Sequence, residues 1–87
     1  MTEPPSAFEL GFTPIVWSEH NRDYPEIQTR VDRFGRTRYR AVIYLSPTKF
    51  WDRYSARAGS MEALVRKWNR RVVRWQRSWD RQWRPLE

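Results

Sequence analysis

The sequence predicts a small α+β protein, in which an antiparallel β-sheet of three strands precedes two helices, the second of them long and amphipathic. Two alternating segments flank a turn in the middle of the chain, and an apolar stripe at helical spacing runs through its last third. The length of 87 residues leaves room for one domain. We expect that domain to span residues 10–84, between an N-terminal tail of residues 1–9 and a C-terminal tail of residues 85–87.

An edge strand is predicted for residues 10–18, LGFTPIVWS, which are apolar and β-prone. Pro14 has no amide hydrogen to donate, and this restricts the segment to the edge of a sheet. Pro4 and Pro5, with small polar neighbours, indicate the preceding tail. The polar residues 19–26, EHNRDYPE, are predicted to form a loop.

A β-hairpin gives the clearest strand signal, in the two alternating arms of IQTRVDRFGRTRYRAVIYL, residues 27–45. Asp32 and Gly35 suit the first and last positions of a type I turn closed by a left-handed glycine. The register that follows pairs Val31 with Thr37, Thr29 with Tyr39 and Ile27 with Ala41. The opposite face then carries Gln28, Arg30, Asp32, Arg36, Arg38 and Arg40.

A first helix is predicted after this hairpin, because Ser46 followed by Pro47 is a helix-start signal. Phe50 and Tyr54 then fall one helical turn apart, and Gly59 would end the helix. The alternative is that residues 49–56 form a third hairpin strand.

The second helix is predicted to begin at Met61, with Ser60 as its N-cap, and to end before Pro85. Its apolar stripe alternates steps of four and three. The stripe consists of Met61, Val65, Trp68, Val72, Trp75 and Trp79, with Leu64 and Trp83 beside it. Most of the remaining surface is basic, formed by Arg66, Lys67, Arg70, Arg71, Arg74, Arg77, Arg81 and Arg84.

The stripe is expected to have two parts. Its first part, which covers the sheet, is predicted to be core: Met61, Leu64, Val65, Trp68 and Val72. A helix of residues 61–83 would be about 35 Å long, whereas three strands make a sheet only about 15 Å wide. Unless the helix runs along the strands, its last turns overhang and expose Trp75, Trp79 and Trp83.

Exposed indoles require a cover, and several are possible. The N-terminal tail with Phe8 and Phe12, a second copy of the chain in a homodimer, a different protein and stacking unpaired bases all qualify. A membrane surface is a weaker alternative, since the basic helix is the structural half of a folded domain.

The charge predicts a polyanionic partner. Basic residues outnumber acidic ones by 17 to 10, and 15 of the 17 are arginine, whose planar fork clasps phosphate or carboxylate. In the predicted register Arg30 lies directly opposite Arg38, a repulsive arrangement that a bound anion would relieve. The alternative is a solvated edge on which the arginines splay apart and discourage aggregation. The predicted nucleic-acid contacts are Arg30, Arg36, Arg38, Arg40, Arg70, Arg74, Arg77 and Arg81.

Catalysis is not predicted. The chain has no cysteine, and its one histidine, His20, lies in a polar loop without zinc-like spacing or a nucleophile elbow. We therefore expect no catalytic residue, cofactor, metal or small-molecule substrate. The acidic start and the lack of a run of ~18 apolar residues predict a soluble, cytoplasmic protein.

The sequence thus predicts a basic, non-enzymatic binding protein, with nucleic acid as the leading partner. The first alternative is an interaction factor, a small regulator or inhibitor that docks Trp75, Trp79 and Trp83 on an acidic protein. The second is a structural component of a larger assembly such as a ribonucleoprotein or virus particle. Either alternative would suit a protein encoded by a phage or mobile element.

Overall fold

A computed structural model describes residues 4–82 and shows a mixed α+β fold, as predicted. Strands β1 (Ile15–Ser18) and β2 (Asn21–Asp23) form a two-stranded antiparallel sheet. Strands β3 (Glu26–Val31), β4 (Thr37–Tyr44) and β5 (Arg53–Ala58) form a three-stranded antiparallel sheet with β4 in the centre. Helix α1 (Met61–Gln82) follows and packs mainly against β5 and β4.

The β3–β4 hairpin confirms the predicted register, including the pairs Thr29 with Tyr39 and Arg30 with Arg38. Asp32 organises the turn, because its Oδ1 accepts hydrogen bonds from the backbone N–H groups of Phe34 and Arg36, both at 2.9 Å. Gly35 has a φ of 79°, the left-handed conformation that the turn requires. The local turn chemistry therefore fixes which side chains share a face.

The predicted helix between the hairpin and Gly59 is wrong, so α1 is the only helix in the described residues. The alternative holds in kind but not in its bounds: β5 extends the hairpin as a third strand, with Ala56 opposite Ala41, but begins four residues later than predicted. The hydroxyl of Ser46 accepts a hydrogen bond from the N–H of Thr48 and so closes a local turn instead of capping a helix.

The predicted edge strand also differs from the structure. Strand β1 does not join the main sheet but pairs with β2, which lies inside the segment predicted to be a loop. The N-terminal segment, residues 4–18, also forms hydrogen bonds with side chains of α1. The side-chain amide of Asn69 accepts from Thr13 N–H at 2.7 Å and donates to the Gly11 carbonyl at 2.9 Å. Gln76, two turns later, accepts from Val16 N–H at 2.9 Å and donates to the Val16 carbonyl at 2.8 Å.

The core lies between α1, the main sheet and the N-terminal segment. Leu64, Trp68 and Val72 are buried, and Met61 and Val65 are partly buried beside them, as the first part of the apolar stripe predicts. Their partners are Phe12, Ile15, Ala41, Ile43 and Ala56. The N-cap is also confirmed, since the Ser60 hydroxyl accepts from Ala63 N–H at 3.2 Å.

Two basic side chains of α1 have a structural role. Lys67 donates to the carbonyl of Arg57 at 2.9 Å, and Arg71 donates to the carbonyl of Ser55 at 2.8 Å. Both carbonyls belong to β5, the strand at one edge of the sheet. The helix therefore satisfies backbone acceptors that an edge strand would otherwise leave without a protein partner.

Candidate nucleic-acid interface

The face of the three-stranded sheet that points away from α1 carries the charged side chains of these strands, and we call it the outer face. Tyr39, Ala41 and Ile43 of β4 belong to the core side, so the alternate residues point outward. The same alternation in β5 places Tyr54, Ala56 and Ala58 toward the core. The outer face therefore carries Glu26, Gln28 and Arg30 from β3, Arg38, Arg40, Val42 and Tyr44 from β4, and Arg53, Ser55 and Arg57 from β5.

Four arginines converge on this face around a groove of about 490 Å³, which we call the arginine groove. They are Arg30, Arg38, Arg40 and Arg57. The strand register places Arg30 opposite Arg38 and Arg40 opposite Arg57, so two like-charged pairs lie in adjacent rows. Asp32 is the only acidic residue among those that line the groove.

Two arginines of the groove have side-chain partners. The Nε of Arg38 lies 3.2 Å from Oδ2 of Asp32, and Arg40 donates to the side-chain oxygen of Gln28, from Nε at 2.8 Å and also from Nη2. The Arg36 backbone N–H, the Phe34 N–H and the Arg38 guanidinium lower the pKa of Asp32 below its ordinary value of 3.8. Asp32 is therefore anionic at neutral pH and offsets part of the charge of Arg38.

The other two arginines of the groove have guanidinium groups without a partner in the described residues. Within residues 4–82, the guanidinium groups of Arg30 and Arg57 make no hydrogen bond or ion pair. Each nevertheless stands opposite another arginine. Their hydrogen-bond donors are free to bind an anion that enters the groove.

Arg36 lies at the hairpin tip, outside the arginine groove. Its guanidinium carbon lies 5.5 Å from the centre of the Phe34 ring, and that of Arg33 lies 5.0 Å from the same ring. Both distances are typical of a cation–π contact. Two positive charges therefore lie against the Phe34 ring at the end of the hairpin.

Strand β5 adds two arginines to this face that are not among the contacts predicted from the sequence. Arg57 completes the groove, and Arg53 lies farther along the same strand. Both positions fall inside the helix predicted between Ser46 and Gly59. The signal that could have found them is the alternation in RYSARA, residues 53–58, with arginine and serine on one side and tyrosine and alanine on the other.

The predicted helix contacts lie elsewhere. Arg70, Arg74, Arg77 and Arg81 are exposed and follow one line along α1, with spacings of four, three and four residues. Arg70 and Arg74 each stand two positions from Val72, about 200° around the helix from the residues that face the sheet. We call these four arginines the helix stripe, as distinct from the apolar stripe of α1. The helix stripe and the arginine groove are therefore on opposite sides of the molecule.

The predicted partner-binding tryptophans are involved in ring contacts within the chain. Trp75 stacks on Tyr54 with 4.6 Å between ring centres, and Trp79 meets Trp17 edge-on at 5.1 Å. Both indoles are half-buried, whereas overhang would have exposed them fully. Trp83 lies outside the described residues.

The cover of these indoles comes from Trp17 and Tyr54. The predicted covers from the N-terminal tail lie elsewhere: Phe12 is in the core, and Phe8 is exposed and contacts Tyr24.

Three further observations concern other classes of site. Among residues 4–82, no three potential metal-binding side chains come together, and His20 is exposed in the turn between β1 and β2. In the same residues, no helix combines the length and the apolar character needed to cross a bilayer. Comparisons with known protein families, curated proteins and solved structures found no match.

Proposed function

We propose that this protein binds nucleic acid through the outer face of its three-stranded sheet. The observation that carries the proposal is the convergence of Arg30, Arg38, Arg40 and Arg57 around one groove that has a single carboxylate. Arginine is suited to phosphate because its planar fork donates two parallel hydrogen bonds.

The electrostatics of the groove favour an anion. Like charges directly opposite each other destabilise a sheet, and the register contains two such pairs in adjacent rows. A phosphate between them would replace repulsion with attraction. Several phosphates in sequence would do so along the face, and this favours a polyanion over a single small anion.

The test is the affinity of the purified protein for labelled duplex and single strand at ~50 and ~200 mM salt. Wild-type protein should bind at the lower salt concentration and lose affinity steeply at the higher one. The double variant Arg30→Gln/Arg57→Gln should bind at least about tenfold more weakly, because it removes two phosphate contacts.

The control has the same change in net charge on the opposite side of the molecule. Arg70→Gln/Arg74→Gln alters two exposed helix arginines that have no partner in residues 4–82. Its affinity should stay within about threefold of wild type if the outer face is the interface. Equal losses in the two variants would contradict the assignment to the outer face.

Docking of the tryptophan-bearing helix on an acidic protein stays a prediction, as does membership of a larger assembly. Ring contacts with Tyr54 and Trp17 reduce the need for an external cover of Trp75 and Trp79. Weak nucleic-acid binding at ~50 mM salt would contradict our proposal and favour a protein partner.

A further inference from the structure

The loop between β4 and β5 presents two large aromatic side chains to solvent. Phe50 is 68% exposed and Trp51 is 75% exposed. Together they expose on the order of 300 Å² of ring surface, which approaches the size of the largest apolar patch on a typical monomer. Such patches are often functional.

The loop is held in place although its aromatic rings are exposed. Leu45 N–H donates to the Asp52 carbonyl at 2.8 Å, and Asp52 N–H donates to the Lys49 carbonyl at 3.1 Å. These bonds hold the backbone on both sides of the aromatic pair. The rings therefore project from a hydrogen-bonded turn, so little backbone entropy would be lost when a partner binds them.

The loop continues the outer face. Arg53 belongs to that face, opposite Tyr44, and its Nη1 donates to the Phe50 carbonyl at 2.7 Å. Along β4, Arg38 of the arginine groove and Tyr44 are six positions apart, about 20 Å. The groove, Arg53 and the backbone of Phe50 thus follow one another along the outer face, and the two rings lie in the loop at its end, between Lys49 and the exposed Asp52.

We propose that this surface selects single-stranded nucleic acid, with phosphates in the arginine groove and unpaired bases stacked on Trp51 and Phe50. The inference rests on the proposed function and adds its substrate class. Bases inside a duplex are already stacked on each other, so only an unpaired base can offer its flat face to an exposed ring. Stacking is tolerant of sequence because every base has such a face.

The experiment compares a labelled single strand of roughly 20 nucleotides, longer than the usual site of 4 to 16, with a duplex of the same length and sequence. Wild-type protein should bind the single strand more tightly, by up to about a hundredfold, because each of the two rings contributes about tenfold. Phe50→Ala/Trp51→Ala should weaken single-strand binding by roughly tenfold per ring and leave duplex binding within about twofold. Trp51→Phe, which keeps a ring, should retain most of the single-strand affinity.

A control variant is Phe8→Ala, which removes a ring that is 70% exposed in the N-terminal segment and contacts Tyr24 edge-on. It should bind both probes as wild type does. Unchanged thermal unfolding of all the variants would establish that lost affinity is not lost folding, as expected for exposed positions.

The outcomes separate the two proposals. Equal affinity for both probes, or no effect of the Phe50→Ala/Trp51→Ala change, would overturn the single-strand inference while binding that depends on Arg30 and Arg57 still supports the proposed function. Absence of binding to either probe at ~50 mM salt would overturn both.

Discussion

The arginine groove and the helix stripe contain the same number of arginines but differ in how the fold arranges them. The groove draws its four arginines from three strands, which lie within about 10 Å across the sheet. The four arginines of the stripe are spread over about 16 Å of one helix. The net charge of a chain therefore does not define a binding site, because only convergence creates a place where several donors meet one anion.

The two regions also differ in their means of relieving repulsion. Strand pairing holds Arg30 opposite Arg38, and only Asp32 and Gln28 compensate locally. The helix arginines extend into water, where charges a turn apart interact weakly. An anion therefore gains more at the groove than at the stripe.

The largest effect is expected from charge reversal. Arg30→Glu/Arg57→Glu should abolish measurable binding at ~200 mM salt and weaken it by about a hundredfold or more at ~50 mM, because two attractive contacts become repulsive. The loss of affinity in Arg70→Glu/Arg74→Glu should be at least tenfold smaller. Titration of a labelled single strand measures both, and equal losses would show that the groove has no special status.

A second prediction distinguishes structural cations from binding cations on the same helix. Arg71→Ala should lower the free energy of unfolding by about 1.5 kcal/mol, because it removes a charged donor from the Ser55 carbonyl. Arg74→Ala, with no partner in residues 4–82, should stay within about 0.5 kcal/mol of wild type. Urea denaturation measures both variants. Equal stabilities would mean that the edge contact of Arg71 contributes nothing.

Asp32→Asn should increase the affinity of the groove for nucleic acid, because it makes the groove more positive. Asparagine retains an oxygen that can accept from Phe34 and Arg36, but it removes the only negative charge that lines the groove. We expect affinity for nucleic acid to rise by roughly two- to fivefold and the salt dependence to steepen by about one charge. Unchanged affinity would indicate that the bound strand does not approach Asp32.

The smallest effect concerns acid stability. The lowered pKa of Asp32 means that its carboxylate is favoured in the folded state. Its stabilisation is therefore fully present above the unfolded value of about 3.8 and is lost as the pH falls through the lower folded value. Thermal unfolding of wild type and Asp32→Asn should differ at neutral pH and converge as the pH falls from 3.8 through the lower folded pKa. A constant difference across that range would contradict this account.

The parts of the fold that could be predicted from the sequence are those fixed by local chemistry. The Asp32 and Gly35 turn set the hairpin register, and with it the positions of Arg30, Arg38 and Arg40. The step pattern from Met61 identified α1, its cap and its buried residues. In both cases, residues close in sequence determine the outcome.

The parts that could not be predicted depend on contacts between distant residues. The side chains that β5 turns toward the core are two alanines and one tyrosine, Ala56, Ala58 and Tyr54, which give a weak strand signal. Pairing with β4 decides the conformation of this segment. Arg57 was missed with it. The helix arginines and the groove were grouped as one interface, although the apolar sides of the helix and the hairpin pack together and so place the two basic sides apart.

The side chains of Asn69 and Gln76 serve the N-terminal segment as a neighbouring strand would, each accepting one backbone N–H and donating to one backbone carbonyl. The amide hydrogens of Thr13 and Val16 are thus bonded to side chains of a helix more than fifty residues away. In deuterated water, their rates of exchange will report how often this segment detaches from α1, and fraying within β1 will contribute little to them.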